Sequence, residues 1–302
     1  MKRKIVKKKM VMLVTLLFAG AVLTYAIFES VRLASFPGKI TTPEYEVTTE
    51  GVKSTFHDGV IYRYPGMVPL LSVSGDHYEM GLQYGVLLRP EIMKALETYG
   101  KILRWEAKKA HVPYPIFTAV LKFKAKRMSR RLPERFLEEI RGVSEGSGVP
   151  EDAIIMVSLF YDVGMAMGCT GVLMRGKEGS IIHGRNNDWY ESDDLGKLFV
   201  VVRHRANGYN SVTHIDFPLW LGVETGYNDA GLAFSEETYG IKKPNSKGFP
   251  IVYLARIALE SCSTLDEVYH TLDKYSVIGG YGTLWSDRDE GRGAVVELTP
   301  TG

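Results

Sequence analysis

The hydrophobic pattern of this chain changes abruptly near residue 168, and that change limits the folds open to it. From Asp76 to about residue 165, apolar residues recur at i, i+3 and i+4 spacing, which predicts a series of four helical stretches. From Cys169 onward, short runs rich in β-branched and aromatic residues alternate with glycine-containing turns, a pattern typical of antiparallel hairpins. Helical patterns return at 250–262 and from Thr264. Helices, then hairpins, then helices predict an α+β layered sandwich.

The charge distribution argues against a nucleic-acid binder. The chain has 302 residues and a formal net charge of +2, but six of its 37 basic residues lie among the first nine. The remaining chain therefore carries 31 basic against 35 acidic residues. Because the basic residues form a tail and not a patterned face, the sequence predicts no nucleic-acid partner.

The basic tail, 1–9, precedes an uncharged apolar run, 10–28. Nineteen residues of helix rise about 28 Å, close to the hydrocarbon thickness of a bilayer. We therefore predict a transmembrane signal anchor with the tail in the cytoplasm and the body of the protein outside it. A cleaved signal peptide and a secreted protein are the alternative. Residues 29–70, rich in Pro, Thr and Gly, are predicted to form a spacer with one short strand near 60–64.

The chain has two cysteines, Cys169 and Cys262, which in an extracytoplasmic protein could form a disulfide. A different interpretation of Cys169 follows from the hairpin predicted around the turn sequence "GKEG". A tight turn at Lys177–Glu178 pairs Cys169 with Asn186 and places Arg185, Asn187 and Asp188 near the thiol. Arg185 and Asp188 are three residues apart, so a regular strand points them to opposite faces. We therefore predict a bulge or strand end at Asn186–Asn187.

These residue types suit nucleophilic catalysis by a thiol. A free thiol has a pKa of about 8.5, and a neighbouring Arg185 cation favours the thiolate. If Cys169 is a true N-terminus, its own α-amine can take the thiol proton, with Asp188 orienting the resulting ammonium. Asn186 or Asn187 could then donate to a substrate carbonyl or to the oxyanion.

Three motifs, in the same order, resemble those of a known family. "GCT" is followed sixteen residues after the cysteine by "RNNDW", within "GRNNDW"; "GDHYEMGLQYG" lies at 75–85 and "GYNDAGLAFS" at 226–235. This arrangement resembles the Ntn-hydrolase group that includes penicillin acyltransferases, choloylglycine hydrolases, acid ceramidases and N-acylethanolamine amidases. The spacing of Cys169, Arg185 and Asp188 is similar to the Cys-Arg-Asp arrangement of that group. The resemblance covers roughly residues 70–300.

The resemblance implies a four-layer αββα sandwich and a precursor that cuts itself between Gly168 and Cys169. Residues 71–168 would then be the helical pro-segment or α chain, and 169–302 the catalytic β chain. The implied activity is cleavage or transfer of an acyl group at a linear amide of a small N-acyl compound, with Cys169 as nucleophile and without metal or cofactor.

Two departures from the family pattern concern the later part of the chain. The family's late asparagine, a donor to the oxyanion, has no counterpart in residues 279–287, which leaves Asn228 or a backbone N–H as the possible donor. Relatives also continue with further sandwich strands after the last hairpin, so the segment 169–302 is expected to be short or incomplete.

Two other functions stay open at this point. A papain-like protease would pair Cys169 with a histidine base, for which His183, His204 and His214 are the candidates on separate predicted strands. These histidines also lack the spacing of metal ligands. A non-catalytic relative that binds a ligand in the same fold is the second alternative.

Overall fold

The computed structural model describes residues 35–160, 162, 168–188, 194–239 and 243–301. The predicted cytoplasmic tail, 1–9, and the predicted anchor, 10–28, lie outside the described residues. Among the helices that are described, none combines the length and apolar character needed to cross a bilayer.

Five helices precede Cys169 and two follow it among the described residues. Their bounds are α1 His77–Leu87, α2 Arg89–Lys109, α3 Tyr114–Ser129, α4 Glu134–Ser147, α5 Glu151–Ser158, α6 Ile251–Ser261 and α7 Leu265–Leu272. A reciprocal capping box starts α1, in which Asp76 Oδ1 accepts from Glu79 N–H and Glu79 Oε2 accepts from Asp76 N–H. Thr264 caps α7, since its side chain accepts from Glu267 N–H. Helices lie in all the predicted stretches, but the first stretch divides at Leu88 into α1 and α2, so there are five helices where four were predicted. The last of them, α5, ends at Ser158 and not near residue 165.

The described strands form a ten-stranded sheet and a separate hairpin. The large sheet has the order β1-β2-β3-β4-β7-β8-β9-β10-β11-β12, with neighbours antiparallel except β4 and β7, which are parallel. The hairpin consists of β5 and β6. The strand bounds are β1 Thr48–Glu50, β2 Lys53–Phe56, β3 Gly59–Tyr62, β4 Leu70–Gly75, β5 Gly168–Arg175, β6 Ile181–Asp188, β7 Val200–Ala206, β8 Val212–Asp216, β9 Thr225–Asn228, β10 Leu232–Tyr239, β11 Gly280–Asp287 and β12 Arg292–Leu298.

Part of the segment predicted as a spacer, 29–70, is regular secondary structure. From residue 48 it contributes β1, β2 and β3 to the edge of the large sheet, so the predicted strand near 60–64 is joined by two others. These strands are three or four residues long and β1 is fully exposed, which explains why no sustained apolar alternation marks them in the sequence.

Glycines let two helices before Cys169 approach closely. Gly81 of α1 lies against the backbone of α4, and a Cβ at that position would fall 2.1 Å from the carbonyl oxygen of Glu139. Gly142 of α4 lies equally close to Tyr78 of α1, where the corresponding distance is 2.2 Å. A larger side chain at either position would force the helices apart.

The layers are helix, large sheet and hairpin. Helices α1 and α6 pack on one face of the large sheet, and the β5–β6 hairpin packs on the other face, over β10 and β11. The four-layer αββα prediction is therefore confirmed only in its first three layers, because no second helical layer covers the hairpin among the described residues. The mixed arrangement of helices and a mainly antiparallel sheet agrees with the predicted α+β class.

Candidate active site

The register of the β5–β6 hairpin decides which side chains meet the thiol. Cys169 pairs with Asn187, and Gly171 pairs with Arg185. The predicted pairing of Cys169 with Asn186 is wrong by one residue, because five residues, 176–180, connect the strands through a short 3₁₀ turn. A slip of one residue exchanges the two faces of a strand.

This register places Arg185 and Asn187 on the same face as Cys169 without any irregularity. The ladder runs unbroken from Gly168–Asp188 to Arg175–Ile181, so the predicted bulge at Asn186–Asn187 is absent. Asn186 and Asp188 point to the opposite face, where Asn186 Nδ2 donates to Asp188 Oδ1 at 2.5 Å. Neither of these two side chains contacts the thiol.

The thiol is half-buried between a cation and an amide. Arg185 Nη2 donates to Cys169 Sγ at 3.1 Å, and Sγ donates to Asn187 Oδ1 at 3.6 Å. Burial raises the pKa of the Cys169 thiol, the Arg185 guanidinium opposes that rise, and the carboxylates of Glu236 and Glu224 add to it. With its pKa raised, Cys169 is a neutral thiol at neutral pH and hydrogen bonds with both neighbours.

Strands β9 and β10 hold Arg185 in place from beneath. Thr225 Oγ1 accepts from Arg185 Nη1 at 2.6 Å, while Glu224 and Glu236 lie 3.5 and 3.8 Å from the guanidinium nitrogens. Glu224 Oε2 also accepts from Asn187 Nδ2 at 3.3 Å. One buried carboxylate thus contacts both groups that flank the thiol.

Burial dominates the electrostatics of these acidic residues. Burial raises the pKa of Glu224, and the Arg185 cation works in the opposite direction. Burial raises the pKa of the neighbouring Asp216 well above its usual range, and the negative charge of Glu224 raises it further. The buried carboxyl groups of Glu224 and Asp216 therefore bind protons more tightly than exposed carboxyl groups do.

Sequence reasoning missed Glu224, Thr225 and Glu236. They lie 55 to 67 residues after Cys169 and reach it only because the hairpin packs over β10. One signal was available, since the acidic pair Glu236–Glu237 interrupts an otherwise β-forming run. A charged residue inside a strand pattern has to be paired when the strand is buried.

Asn228 does not supply the oxyanion donor that the sequence left open. Its two amide hydrogens go to the carbonyl oxygens of Leu259 and Cys262, each at 2.8 Å, and its Oδ1 accepts from Leu232 N–H. The side chain ties β9 to the end of α6 and is fully committed there. Asn187 is the predicted amide that does lie beside the thiol.

The disulfide alternative is wrong, because Cys169 and Cys262 are both free. Cys262 is buried at the end of α6 and contacts the Thr271 hydroxyl. The described residues contain no group of three metal-binding side chains.

The three histidines are engaged elsewhere. His183 bridges the hydroxyls of Ser235 and Ser286, and His204 pairs with His214 on the helical side of the sheet. Within the described ranges, the hydrogen-bond partners of the thiol are Arg185 and Asn187, so no histidine serves Cys169 as a base.

A cavity of about 390 Å³ opens beside Arg185 on the hairpin side of the large sheet. Its walls are mainly apolar, with Val201, Ile215, Tyr227 and Phe234 among them, and Thr225 joins it to the Arg185 site. The arrangement combines a nucleophile, a cation next to it, an amide and an apolar space, which suits attack on an acyl compound.

Comparison with known proteins supports the resemblance found in the sequence. The sequence model of the acyl-coenzyme A:6-aminopenicillanic acid acyl-transferase family matches residues 174–302. Together with the relatives below, this match confirms the resemblance to the Ntn-hydrolase group.

Two particular relatives are an amidase and a ceramidase. The N-acylethanolamine-hydrolyzing acid amidase of Caenorhabditis elegans is 28% identical over 172 residues, covering 53% of this chain and 48% of that protein. The acid ceramidase of Mus musculus is 25% identical over 193 residues, covering 55% of this chain and 48% of that protein. The chain thus spans about half the length of these curated relatives.

Two solved structures are similar over part of the chain. The Caenorhabditis elegans N-acylethanolamine-hydrolyzing acid amidase ortholog has a TM-score of 0.35 and 21% identity, over 42% of this chain and 58% of that one. Penicillin V acylase from Agrobacterium tumefaciens has a TM-score of 0.23 and 13% identity, over 44% and 39% respectively.

Proposed function

We propose that this protein is a self-processing amidase or acyltransferase that uses Cys169 as an N-terminal nucleophile on small N-acyl amides. The observation that carries the proposal is the contact of Cys169 Sγ with Arg185 Nη2 on one face of a regular hairpin. The relatives named as an amidase and a ceramidase support the same class of bond.

Self-processing would begin with attack of the Cys169 thiol on the carbonyl carbon of Gly168. The C–N bond breaks, the Cys169 amine takes the thiol proton, and a thioester joins Gly168 to Sγ. Water then hydrolyses the thioester, releasing a carboxylate at Gly168 and a free thiol at a new N-terminus. Because the thiol is neutral in the uncut chain, this step needs a proton acceptor, which the departing amine provides.

Turnover would follow the same pattern on an external amide. The α-amine of Cys169 takes the thiol proton, the thiolate attacks the acyl carbon, and the ammonium returns its proton to the leaving amine. Arg185 stabilises the thiolate. Asn187 faces the thiol with its acceptor Oδ1 while its Nδ2 donates to Glu224, so this amide would have to turn over to donate to an oxyanion. Asp188 lies opposite Gly168, so removal of the Gly168 link would open the strand end at which the new ammonium forms.

Mass spectrometry of the purified protein tests this proposal. We expect a fragment that begins at Cys169, and hydrolysis of some member of a chain-length series of N-acyl amino acids and N-acylethanolamines. Cys169→Ala should abolish both cleavage and hydrolysis, whereas the matched change at the other free cysteine, Cys262→Ala, should leave both in place.

Other outcomes would contradict the proposal. Cleavage that survives Cys169→Ala would remove Cys169 from processing. An intact chain that hydrolyses amides would favour a cysteine hydrolase without self-cleavage, and an intact, inert chain would favour a ligand-binding relative.

We also propose that residues 10–28 hold the protein in a membrane with its catalytic part outside the cytoplasm. Extraction of membranes with alkaline carbonate tests this placement. Retention in the pellet is expected, and release into the supernatant, or an N-terminus beginning after residue 28, would favour a cleaved signal.

A further inference from the structure

Three buried acidic side chains lie around the guanidinium of Arg185, on or next to three neighbouring strands. Glu224 and Glu236 approach its nitrogens to 3.5 and 3.8 Å, and Asp216 is the last residue of β8. All three acidic residues are at most 2% exposed. Arg185 is the cation that contacts them within the part of the chain that the structure describes. Because buried negative charges next to one another are costly, a bound proton is expected in this cluster.

The register of the large sheet brings two of these residues together. His214 of β8 pairs with Gly226 of β9, so two residues further on Asp216 and Glu224 come opposite each other at the end of the ladder. Directly opposite residues of antiparallel strands have Cβ atoms about 5 Å apart. Burial raises the pKa of Asp216, and the negative charge of Glu224 raises it further, as expected at such a distance.

Each of these two carboxyl groups has one oxygen that lacks a donor. Asp216 Oδ1 accepts from Phe217 N–H at 2.9 Å, and Glu224 Oε2 accepts from Asn187 Nδ2 at 3.3 Å. Asp216 Oδ2 and Glu224 Oε1 are buried and have no hydrogen-bond partner among the residues that the structure describes. Two ionised carboxylates can only accept, so they cannot satisfy each other. One proton between them supplies the missing donor for both oxygens.

The contacts of Glu224 decide which carboxyl group keeps that proton. Glu224 Oε2 lies 3.5 Å from the Arg185 guanidinium and accepts from the Asn187 amide, and both contacts favour the carboxylate. Asp216 lies next to that negative charge, with the Phe217 N–H as its donor, and this favours the protonated form. The Asp216 carboxyl is therefore the donor of the pair, and Glu224 Oε1 is the acceptor.

Other titratable groups approach the pair from the helices and from the hairpin. From α1 and α2 these are the phenols of Tyr84 and Tyr99, and burial raises the pKa of both, so they are neutral. Burial also raises the pKa of Asp162 and of the Cys169 thiol, and the negative charge of Glu224 raises both further. The ionisation state of Glu224 thus bears directly on the acidity of the thiol.

We propose that Asp216 is a positioning residue for Cys169: its carboxyl group holds one buried proton and donates it to Glu224 Oε1, which keeps Glu224 ionised beside Arg185. Asp216 then acts on the thiol through Glu224 and without touching it. The proton assignment stands independently of amide cleavage, whereas any effect of Asp216 on turnover rests on the proposed function.

Infrared spectroscopy of the full-length chain tests where the proton lies. The chain carries aspartate labelled with ¹³C in its side-chain carboxyl group, and spectra are taken at pH 8, because the raised pKa of Asp162 is about 7. We expect a band of a protonated carboxylic acid in the wild type that Asp216→Asn removes. The matched control Asp289→Asn, at an exposed position, should keep the band.

Two spectra would overturn the assignment. If the labelled wild type and Asp216→Asn give the same spectrum, Asp216 is ionised and the two oxygens are satisfied in another way. If the band appears with labelled glutamate and is removed by Glu224→Gln, the proton lies on Glu224.

The pH profile of Cys169 alkylation tests whether Asp216 acts through Glu224. Asn is neutral and can donate from Nδ2 to Glu224 Oε1, so Asp216→Asn should leave the profile in place. Asp216→Ala leaves Glu224 Oε1 buried without a donor, which favours protonation of Glu224. The profile should then move toward lower pH by about half a unit, which is roughly threefold faster alkylation at pH 7. In a chain that already carries Glu224→Gln, Asp216→Ala should add no further shift.

Two alkylation results would contradict the role of Asp216. Equal shifts in Asp216→Asn and Asp216→Ala would mean that the charge of the carboxyl group matters and not its proton. A full shift from Asp216→Ala in the Glu224→Gln chain would mean that Asp216 acts on the thiol by another route. Urea unfolding checks each variant, and the infrared comparison needs no Ala variant, so it decides the proton assignment even if Asp216→Ala does not fold. Neither measurement needs turnover, so their failure is distinct from failure of the proposed amide cleavage.

Discussion

Arg185 donates to the Cys169 thiol from the strand opposite, although Gly171 and not Cys169 is its direct partner in the ladder. The guanidinium reaches diagonally along the hairpin to Sγ at 3.1 Å. Gly171 lets the hairpin lie close to the sheet, since a Cβ there would fall 2.3 Å from Glu237 Oε1 beneath the hairpin. The contact therefore depends on the register and on close packing of the hairpin over β10.

Arg185→Met should make the Cys169 thiol less acidic. The guanidinium lowers the pKa of this thiol against the effect of burial, so its removal shifts thiolate formation to higher pH. The measurement is the rate of alkylation of Cys169 by iodoacetamide between pH 6 and pH 10, read by peptide mass spectrometry. We also expect kcat/KM for an amide substrate to fall by roughly a hundredfold or more.

The buried Cys262 is an internal reference in that experiment, because its alkylation should not respond to position 185. Arg203→Met, at an exposed position of β7, is the matched control. If the pH dependence of Cys169 alkylation is unchanged by Arg185→Met, the contact between Arg185 and Cys169 does not influence the acidity of the thiol.

Glu224→Gln should move the same profile in the opposite direction. The negative charge of Glu224 raises the pKa of Cys169, so its loss favours the thiolate at lower pH. Gln keeps an oxygen that can accept from Asn187 Nδ2, so the side chains around the thiol should stay in position. A shift to higher pH, as in Arg185→Met, would mean that Glu224 acts mainly by holding Arg185 in place.

Gly81→Ala should destabilise the helical region before Cys169. The new Cβ would meet the Glu139 carbonyl oxygen at 2.1 Å, so α1 and α4 must separate, at a cost of about 1–3 kcal/mol in the free energy of unfolding. Urea unfolding provides the measurement. Gly100→Ala is the control inside α2, where the nearest atom is the flexible end of Arg104 at 3.4 Å, and it should be neutral or stabilising. Equal effects at the two positions would contradict the close approach.

Asp162→Asn should change how stability depends on pH. Burial raises the pKa of Asp162 to about 7, although Ile251 N–H and the Tyr281 hydroxyl both donate to Oδ1. The unfolded carboxyl loses its proton near pH 4. The folded chain therefore binds more protons between these values, and the contribution of Asp162 to stability falls as pH rises from about 4 to 7.

Asn cannot titrate, so the stability of the variant relative to the wild type should rise over that pH interval and level off above pH 7. The expected change is on the order of a few kcal/mol. Urea unfolding at pH 4.5, 6 and 8 measures it, with the exposed Asp289→Asn as control. A difference between variant and wild type that is independent of pH would contradict a raised pKa at Asp162.

Much of the local structure was predictable because it depends on neighbours in the sequence. The capping box at Asp76 and Glu79 marks the start of α1, and the change to β-forming runs marks the hairpin that carries Cys169. The approach of Arg185 and Asn187 to the thiol follows from any hairpin closed near residue 178. Periodicity in the sequence reports such short-range relationships directly.

The register of the β5–β6 hairpin was not predictable to the single residue, because it depends on how many residues the connecting turn contains. Five connecting residues in place of two turned Asn186 and Asp188 away from the thiol and removed the need for a bulge. Asn228 was misleading for a related reason. An asparagine in a turn motif is chemically suited to an oxyanion, but only its neighbours in space show that its amide is already used by Leu259 and Cys262.

By itself, the sequence determined the α+β class, the helices, the hairpin and Cys169 as the candidate nucleophile, because each depends on residue types at short spacing. Only the tertiary structure decided which carboxylates surround Arg185 and which face of α3 is left exposed. Thr225 is the first residue of β9 and Glu224 directly precedes it, far along the chain from the hairpin, and their contact with Arg185 is a consequence of sheet packing. In α3, the inner face buries Leu121, Ala125 and Met128 and pairs Lys122 with Asp152, and this packing leaves Phe123 exposed.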